Sequence, residues 1–214
     1  LETLITYCVG AGAFVVGVVI AIVSKVKANK KKKNGKINPL KTFDTDLRIQ
    51  ESITELRVEL GAQRVYIAKF HNGGEYFDGG AIKKISRTHE SCERSVSHEF
   101  INYQNVPVTL VPDVMSLLKK SWQADEVVCG KVEDLFDGFL KHHMKRAGVH
   151  LFLKYRIVSD GRLTGYLGVQ YNIDAHGKFG CCKQDKNVCT LPDEILEKIK
   201  TTAGDIENLF VTGL

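Results

Sequence analysis

The sequence predicts an α+β domain, a central antiparallel sheet flanked by helices, preceded by one N-terminal transmembrane helix. Three observations carry that expectation: an uncharged apolar run from Leu4 to Val23, two β-like segments joined by Asp160-Gly161, and amphipathic helical segments at both ends of the remaining chain. Strands linked by tight turns, with helices before and after them, close into one antiparallel sheet carrying a helical layer.

Leu4 to Val23 is dominated by Val, Ile, Ala and Gly. As a helix this run would reach about 30 Å, the thickness of a bilayer's hydrocarbon core. A cleaved signal has a shorter apolar core with its positive charge in front. Here the charge follows the core, so the run is read as a retained anchor: residues 1–24 as the membrane helix, 25–41 as a polybasic linker, 42–214 as the folded domain. Lys25, Lys27, Lys30, Lys31, Lys32, Lys33 and Lys36 follow the span and nothing basic precedes it. The positive-inside rule then places the domain in the cytoplasm and the N-terminus outside. The same lysines suit a bilayer with anionic headgroups, at about 1 kcal/mol each near the surface. Ala13, Gly17 and Ala21 recur every four residues, a small-residue face on which two membrane helices approach closely, so a homo-oligomer is expected.

The basic balance of the chain belongs to its linker. Of 30 Lys and Arg residues, eight lie between Lys25 and Lys41, which leaves 22 basic and 24 acidic residues from Thr42 onward. A slightly acidic domain weakens any nucleic-acid reading, which would want a basic face on the folded domain, so no nucleic-acid partner is expected. The six cysteines follow no secreted-scaffold spacing, and a reducing compartment suits them.

From Thr42 the pattern is helical, with Leu47, Ile53, Leu56, Val58 and Leu60 between charged residues and Gly61 as the stop. Arg64 to Phe70 reads as a strand, His71-Asn-Gly-Gly74 as a turn, and Ala81 to Thr88 as the antiparallel partner. Helical character returns over Ser95 to Asn102. Val106 to Val114 is β-like, interrupted by Pro107 and Pro112, and Leu135 to Arg146 is an amphipathic helix closed near Gly148. Val149 to Val158 and Leu163 to Tyr171 are strands joined by Ser159-Asp-Gly161, whose Asp-Gly pair tolerates positive φ. Leu191-Pro-Asp-Glu194 opens a last helix running to about Phe210, where proline and acids suit the free N–H groups.

The text from Lys145 to Phe210 resembles the C-terminal half of GAF domains. It is carried by Arg146-Ala-Gly-Val149, Leu151 to Ile157, Asp160-Gly-Arg-Leu-Thr-Gly-Tyr-Leu-Gly168 and Asp193-Glu-Ile-Leu-Glu197. Thr109 to Val114 resembles a further strand of that family, and the helix from Thr42 matches in place and length. The resemblance implies a GAF-like sheet, about 170 residues in coverage, with a place for a small ligand at one mouth. Phe70 to Phe77 and Lys84 to Glu90 depart from the general pattern and resemble GAF-like proteins encoded by bacteriophages.

That resemblance directs attention to His71, Asn72 and Tyr76 in the first turn and to Ser86, His89 and Glu90 on the paired strand, as residues for a small ligand. His offers a switchable donor or acceptor, Asn an amide and Glu a carboxylate. The alternative is that His71 and Asn72 only shape the turn. Cys181, Cys182 and Cys189, with His176 upstream, lack the paired spacing that zinc prefers, so no metal is expected. No cofactor is indicated. His142, His143 and His150 read as decoration, and Trp122 as packing or a lid.

The functional expectation is a membrane-anchored GAF-like sensor or protein-interaction module, binding a small ligand or partner without catalysis. The competing reading is a phage holin-like or virion-associated membrane protein acting by oligomerisation. A thiol-dependent reductase recruiting Cys92 and Cys129 is a third.

Overall fold

The computed structural model describes residues 39–76, 78–172 and 192–212. The expected membrane helix with Ala13, Gly17 and Ala21, the lysines from Lys25 to Lys36, and His176, Cys181, Cys182 and Cys189 lie outside the described residues. Among the described residues no helix is long and apolar enough to cross a membrane. The chain divides into two units, Leu1–Thr42 and Phe43–Leu214, and the architecture below is that of the second.

Helix α1 (Pro39–Leu60) buries Ile49, Ile53, Leu56 and Leu60, one face of a 3.6-residue helix. Leu47 and Val58, expected on that face, are 45% and 63% exposed. Each lies two positions from a buried residue, about 200° around the helix. Gly61, at φ +56°, ends the helix in the left-handed region as expected.

Six strands follow: β1 (Arg64–Glu75), β2 (Ala81–Cys92), β3 (Val106–Pro107), β4 (Val128–Lys131), β5 (Leu151–Ser159) and β6 (Arg162–Tyr171). They form one antiparallel sheet in the order β3-β2-β1-β6-β5-β4. Helices α2 (Pro112–Ala124), α3 (Phe139–Arg146) and α4 (Asp193–Thr212) complete the domain. The expected hairpin at 159–161 is present, with Asp160 at φ +52° and Gly161 at +69°.

Each sheet face carries its own core. The first joins Val65, Ile67, Leu153, Leu167 and Val169 to Ile49 and Ile53 of α1 and Ile199, Ala203 and Ile206 of α4. The second joins Tyr66, Ala68, Phe152 and Tyr166 to Val114 and Leu118 of α2, Leu140 and Met144 of α3, and Tyr103 and Val106 of the connection between β2 and α2. The first half of β1, Arg64–Ala68, is therefore buried on both faces.

Several local expectations are corrected. His71 to Gly74 is not the turn: β1 runs on to Glu75, and the turn is Tyr76–Gly80, where Asp78 accepts the Gly80 N–H at 2.9 Å. Gly74, at φ +109°, sits in the register irregularity between Asn72 and Glu75, so the glycines serve a bulge. Ser95 to Asn102 is not an α-helix; only Ile101–Tyr103 forms a 3₁₀ turn, because the N–H groups of Glu99 and Phe100 go to the Glu90 carboxylate. The β-like reading of Val106 to Val114 holds only for β3. Pro112 opens α2 instead, its missing N–H costing nothing at the first helical position. α3 begins at Phe139, not Leu135, since Gly138 precedes it in extended backbone. Helix α2 and the four-residue β4 went unanticipated.

Candidate functional site

The second face of the sheet should be an apolar floor under α2 and α3, yet it carries a layer of charge. In the strand register Cys92, Arg64, Gln170, Phe152 and Gly130 form one row across β2, β1, β6, β5 and β4. The next row is Glu90, Tyr66, Gly168 and Lys154, followed by Arg87, Ala68 and Tyr166. Residues three apart on a regular strand face opposite ways. Arg87 and Glu90 share this face because the pairing slips at Thr88, between the Ile67/His89 and Ala68/Arg87 partners. A bulge thus aims both charges into the layer.

The layer is buried throughout, with Arg64, Arg87 and Lys154 each 1–2% exposed. Glu90 is its acidic hub. One carboxylate oxygen accepts from Arg87 and lies 3.0 Å from Arg64 Nε. The other accepts the N–H groups of Glu99 and Phe100 at 2.9 Å. Arg64 also donates to Gln170 Oε1 and to the Ser97 carbonyl, both at 2.6 Å. Arg87 lies 3.9 Å from the centroid of the Tyr66 ring and 4.4 Å from that of Tyr103, a stacked arrangement that offsets part of its desolvation. Its Nε is buried with no hydrogen-bond partner.

Lys154 differs from both arginines, because its hydrogen-bond partner is a phenol: Nζ donates to the Tyr66 hydroxyl at 2.9 Å. Around it stand the rings of Tyr166, Tyr66 and Phe152, at 4.5, 5.5 and 5.7 Å. Gly168 lies between Tyr66 and Lys154 in the register, and a Cβ there would fall 2.3 Å from Tyr66 Cζ. The glycine lets the ring lie flat over β6 and reach β5. Burial raises the Tyr66 pKa, but Lys154 and Arg87 outweigh it and hold the hydroxyl below its usual range. Tyr166 moves the other way, pushed well up by burial and by its Tyr66 neighbour.

At the rim, Glu99 receives His143 Nε2 at 2.8 Å and Asn102 Nδ2 at 2.8 Å. Burial raises the Glu99 carboxyl, yet these two hydrogen bonds bring it below its ordinary value. Burial lowers His143 despite Glu99 beside it. His143 is thus part of the site, not decoration on α3.

The six residues expected to share a ligand do not come together. His71 Nε2 meets Ser86 Oγ at 2.8 Å, and Ser86 Oγ also accepts the Asn105 N–H. Ser86 pairs with Lys69, whose ammonium lies 3.4 Å from the Phe210 ring centroid, so this pair faces α4. His89 faces α1, with Nε2 3.3 Å from Asp46. Asn72 and Tyr76 are exposed in the hairpin. Of the six, only Glu90 enters the second face. Alternation along β2 separates it from His89.

Two chemistries can be weighed here. Glu90, Cys92 and His98 bring an O, an S and an N within 4.8 Å of one another, a ligand set of metal type. The set fits poorly, because both Glu90 oxygens are already bonded and two guanidinium groups face any cation placed there. Cys92 and Cys129 are separated by four strand spacings, about 19 Å. They cannot act as one thiol pair. A shallow groove between α1 and α4, lined by Arg48, Glu55, Asp205 and Asn208, is on the other side of the sheet from the charged layer.

No protein-family model matches the chain, and no curated protein does. Solved structures do. The phycoerythrobilin-bound GAF domain from a cyanobacterial phytochrome superposes with a TM-score of 0.53 at 14% identity, covering 90% of this chain and 94% of that one. The photoproduct state of GAF3 from Slr1393 of Synechocystis sp. PCC6803 gives 0.52 at 15% identity, covering 78% and 94%. The GAF domain region of a Geobacter sulfurreducens PCA protein gives 0.51 at 12% identity, covering 80% and 96%. At these identities the likeness is one of fold: the described residues form a GAF-like domain.

Proposed function

We propose that the chain is a non-catalytic sensory module that binds a small ligand on the second face of its sheet. The observation that carries this reading is the buried charged layer of Arg64, Arg87, Glu90 and Lys154 between the sheet and α2 and α3. Replacing buried ions by apolar residues of similar volume is often neutral or stabilising, so a fold gains little from keeping three cations there. Recognition is the use that explains them. Of the GAF structures of similar fold, one is described as bound to phycoerythrobilin and one as a photoproduct state.

The reading without catalysis is supported by the separation of Cys92 from Cys129 and by the saturated hydrogen bonding of Glu90. Anchoring rests on the sequence alone: the uncharged run Leu4–Val23, the lysines after it, and the small-residue face for self-association. In that arrangement the domain stands on the cytoplasmic side, and pairing of membrane helices passes the signal on. The phage-like text of Phe70 to Phe77 and Lys84 to Glu90 supports a viral origin.

The test of ligand binding is mass spectrometry of small molecules released by denaturing the purified full chain. A stoichiometric molecule is expected, and its loss in Arg87→Met would place it on the second face. Release of nothing, together with no stabilisation by any of a panel of metabolites, would refute the sensor reading. For anchoring, protease added to intact spheroplasts should spare the domain; digestion from outside would overturn the orientation.

A further inference from the structure

Among the described residues, the second face holds more cationic than anionic groups. Arg64 and Arg87 share Glu90, and Glu99 stands at the rim with His143. Lys154 has no carboxylate. Its ammonium, 1% exposed, donates to one phenol and is otherwise surrounded by aromatic rings. Beside it Arg87 presents a second shortfall, a buried Nε with no acceptor. Both cations stand within 6 Å of the same Tyr66 ring centroid. Buried donors without acceptors are uncommon in native proteins, and each calls for a partner.

We infer that Lys154 and the open edge of Arg87 form a subsite for an oxyanion, a carboxylate or phosphate group of the ligand, and that the Tyr66 hydroxyl stands in for it when the ligand is away. This inference rests on the sensor reading above and names the chemistry of its ligand. An oxyanion answers both shortfalls at once: it supplies a negative charge to Lys154 and an acceptor to Arg87 Nε. Charge-assisted hydrogen bonds of this kind are about twice as strong as neutral ones. The aromatic surroundings exclude water, which strengthens the attraction further. Tyr66 is suited to be the exchangeable partner, since it lies over Gly168, where the floor of the sheet carries no side chain, and its hydroxyl reaches Lys154 from the neighbouring strand but one. Glu90 cannot take that part, because its carboxylate already pairs with both arginines and accepts the Glu99 and Phe100 N–H groups of the 93–104 connection.

The experiment is thermal denaturation of the full chain in chloride, acetate and phosphate at matched ionic strength, for wild type, Lys154→Met and Tyr66→Phe, with native mass spectrometry of each protein as purified. Wild type is expected to melt several degrees higher in acetate or in phosphate than in chloride, and the stronger of the two identifies the oxyanion. Lys154→Met should abolish the shift. Tyr66→Phe keeps both cations and removes the competing hydroxyl, so its shift should equal or exceed that of wild type. Equal melting in all three salts for wild type and Tyr66→Phe overturns the inference, as does a shift that Lys154→Met retains. If native mass spectrometry then shows a bound molecule that Lys154→Met also keeps, the sensor reading stands and only the oxyanion subsite fails. If it shows none, and no metabolite of the panel stabilises the chain, both fail.

Discussion

Tyr66 and Lys154 are joined by a 2.9 Å hydrogen bond although a whole strand lies between them, and the residue they cross is Gly168. The bond exists because β6 offers no side chain at that row. It links β1 to β5 on the face where the charged residues gather.

Gly168→Ala should therefore destabilise the domain. The new methyl would fall 2.3 Å from Tyr66 Cζ, so the ring must leave its place. Overpacking of this kind costs about 1–3 kcal/mol. Urea denaturation checks it, and the loss should shrink in a Tyr66→Leu background, where no ring stands in the way.

Glu90→Gln keeps the shape of the hub and removes its charge, leaving Arg64 and Arg87 buried without a counter-ion. Breaking a buried pair in this way costs about 3–5 kcal/mol. Hydrogen exchange should locate the damage in the N–H groups of Glu99 and Phe100, which now end on that carboxylate.

Acid should weaken the fold before the carboxylates titrate. Burial holds His143 and His89 below the ordinary histidine value of 6.5. The unfolded chain then binds more protons than the folded one below that pH, so stability is complete above it and falls as pH drops toward the folded values. Urea midpoints measured from pH 7.5 to 5 should decline, and His143→Gln should flatten the slope. The lowered Glu99 carboxyl adds a second loss below 4.5, as pH falls through its folded value.

Phenol ionisation should single out Tyr66. Lys154 and Arg87 hold it below 10.0 in spite of burial, whereas Tyr103 and Tyr166 are pushed up by burial and Tyr155 is pushed up to about 12. Absorbance near 295 nm should begin to rise at lower pH in wild type than in Tyr66→Phe.

Periodicity served well where one force dominates. The partner strand Leu163 to Tyr171, the Asp160-Gly161 turn and the acid-rich start of α4 are all legible, because hairpin geometry and helix ends are local. Helix α2 was hidden by Pro107 and Pro112, which punctuate a strand and a helix start with the same residue. The candidate site was mostly hidden. Its sequence signal was present, as Arg64-x-Tyr66 and Lys154 stand inside runs otherwise apolar. What no local pattern reveals is the bulge at Thr88 that turns Arg87 toward Glu90, nor the pairing that lays Tyr66 across Gly168. His71 and Ser86 meet on the α4 side at 2.8 Å, across a hairpin longer than the glycines suggest.

The most direct test of the charged layer is the stability of Lys154→Met in chloride buffer, read from its urea midpoint against wild type. Methionine fills similar volume without charge, so a lysine kept for a ligand should be dispensable to the fold, and the midpoint should stay level or rise. A loss of about 2 kcal/mol or more would instead make Lys154 part of what holds the domain together, on the scale of a buried charged hydrogen bond, and would contradict its assignment to recognition.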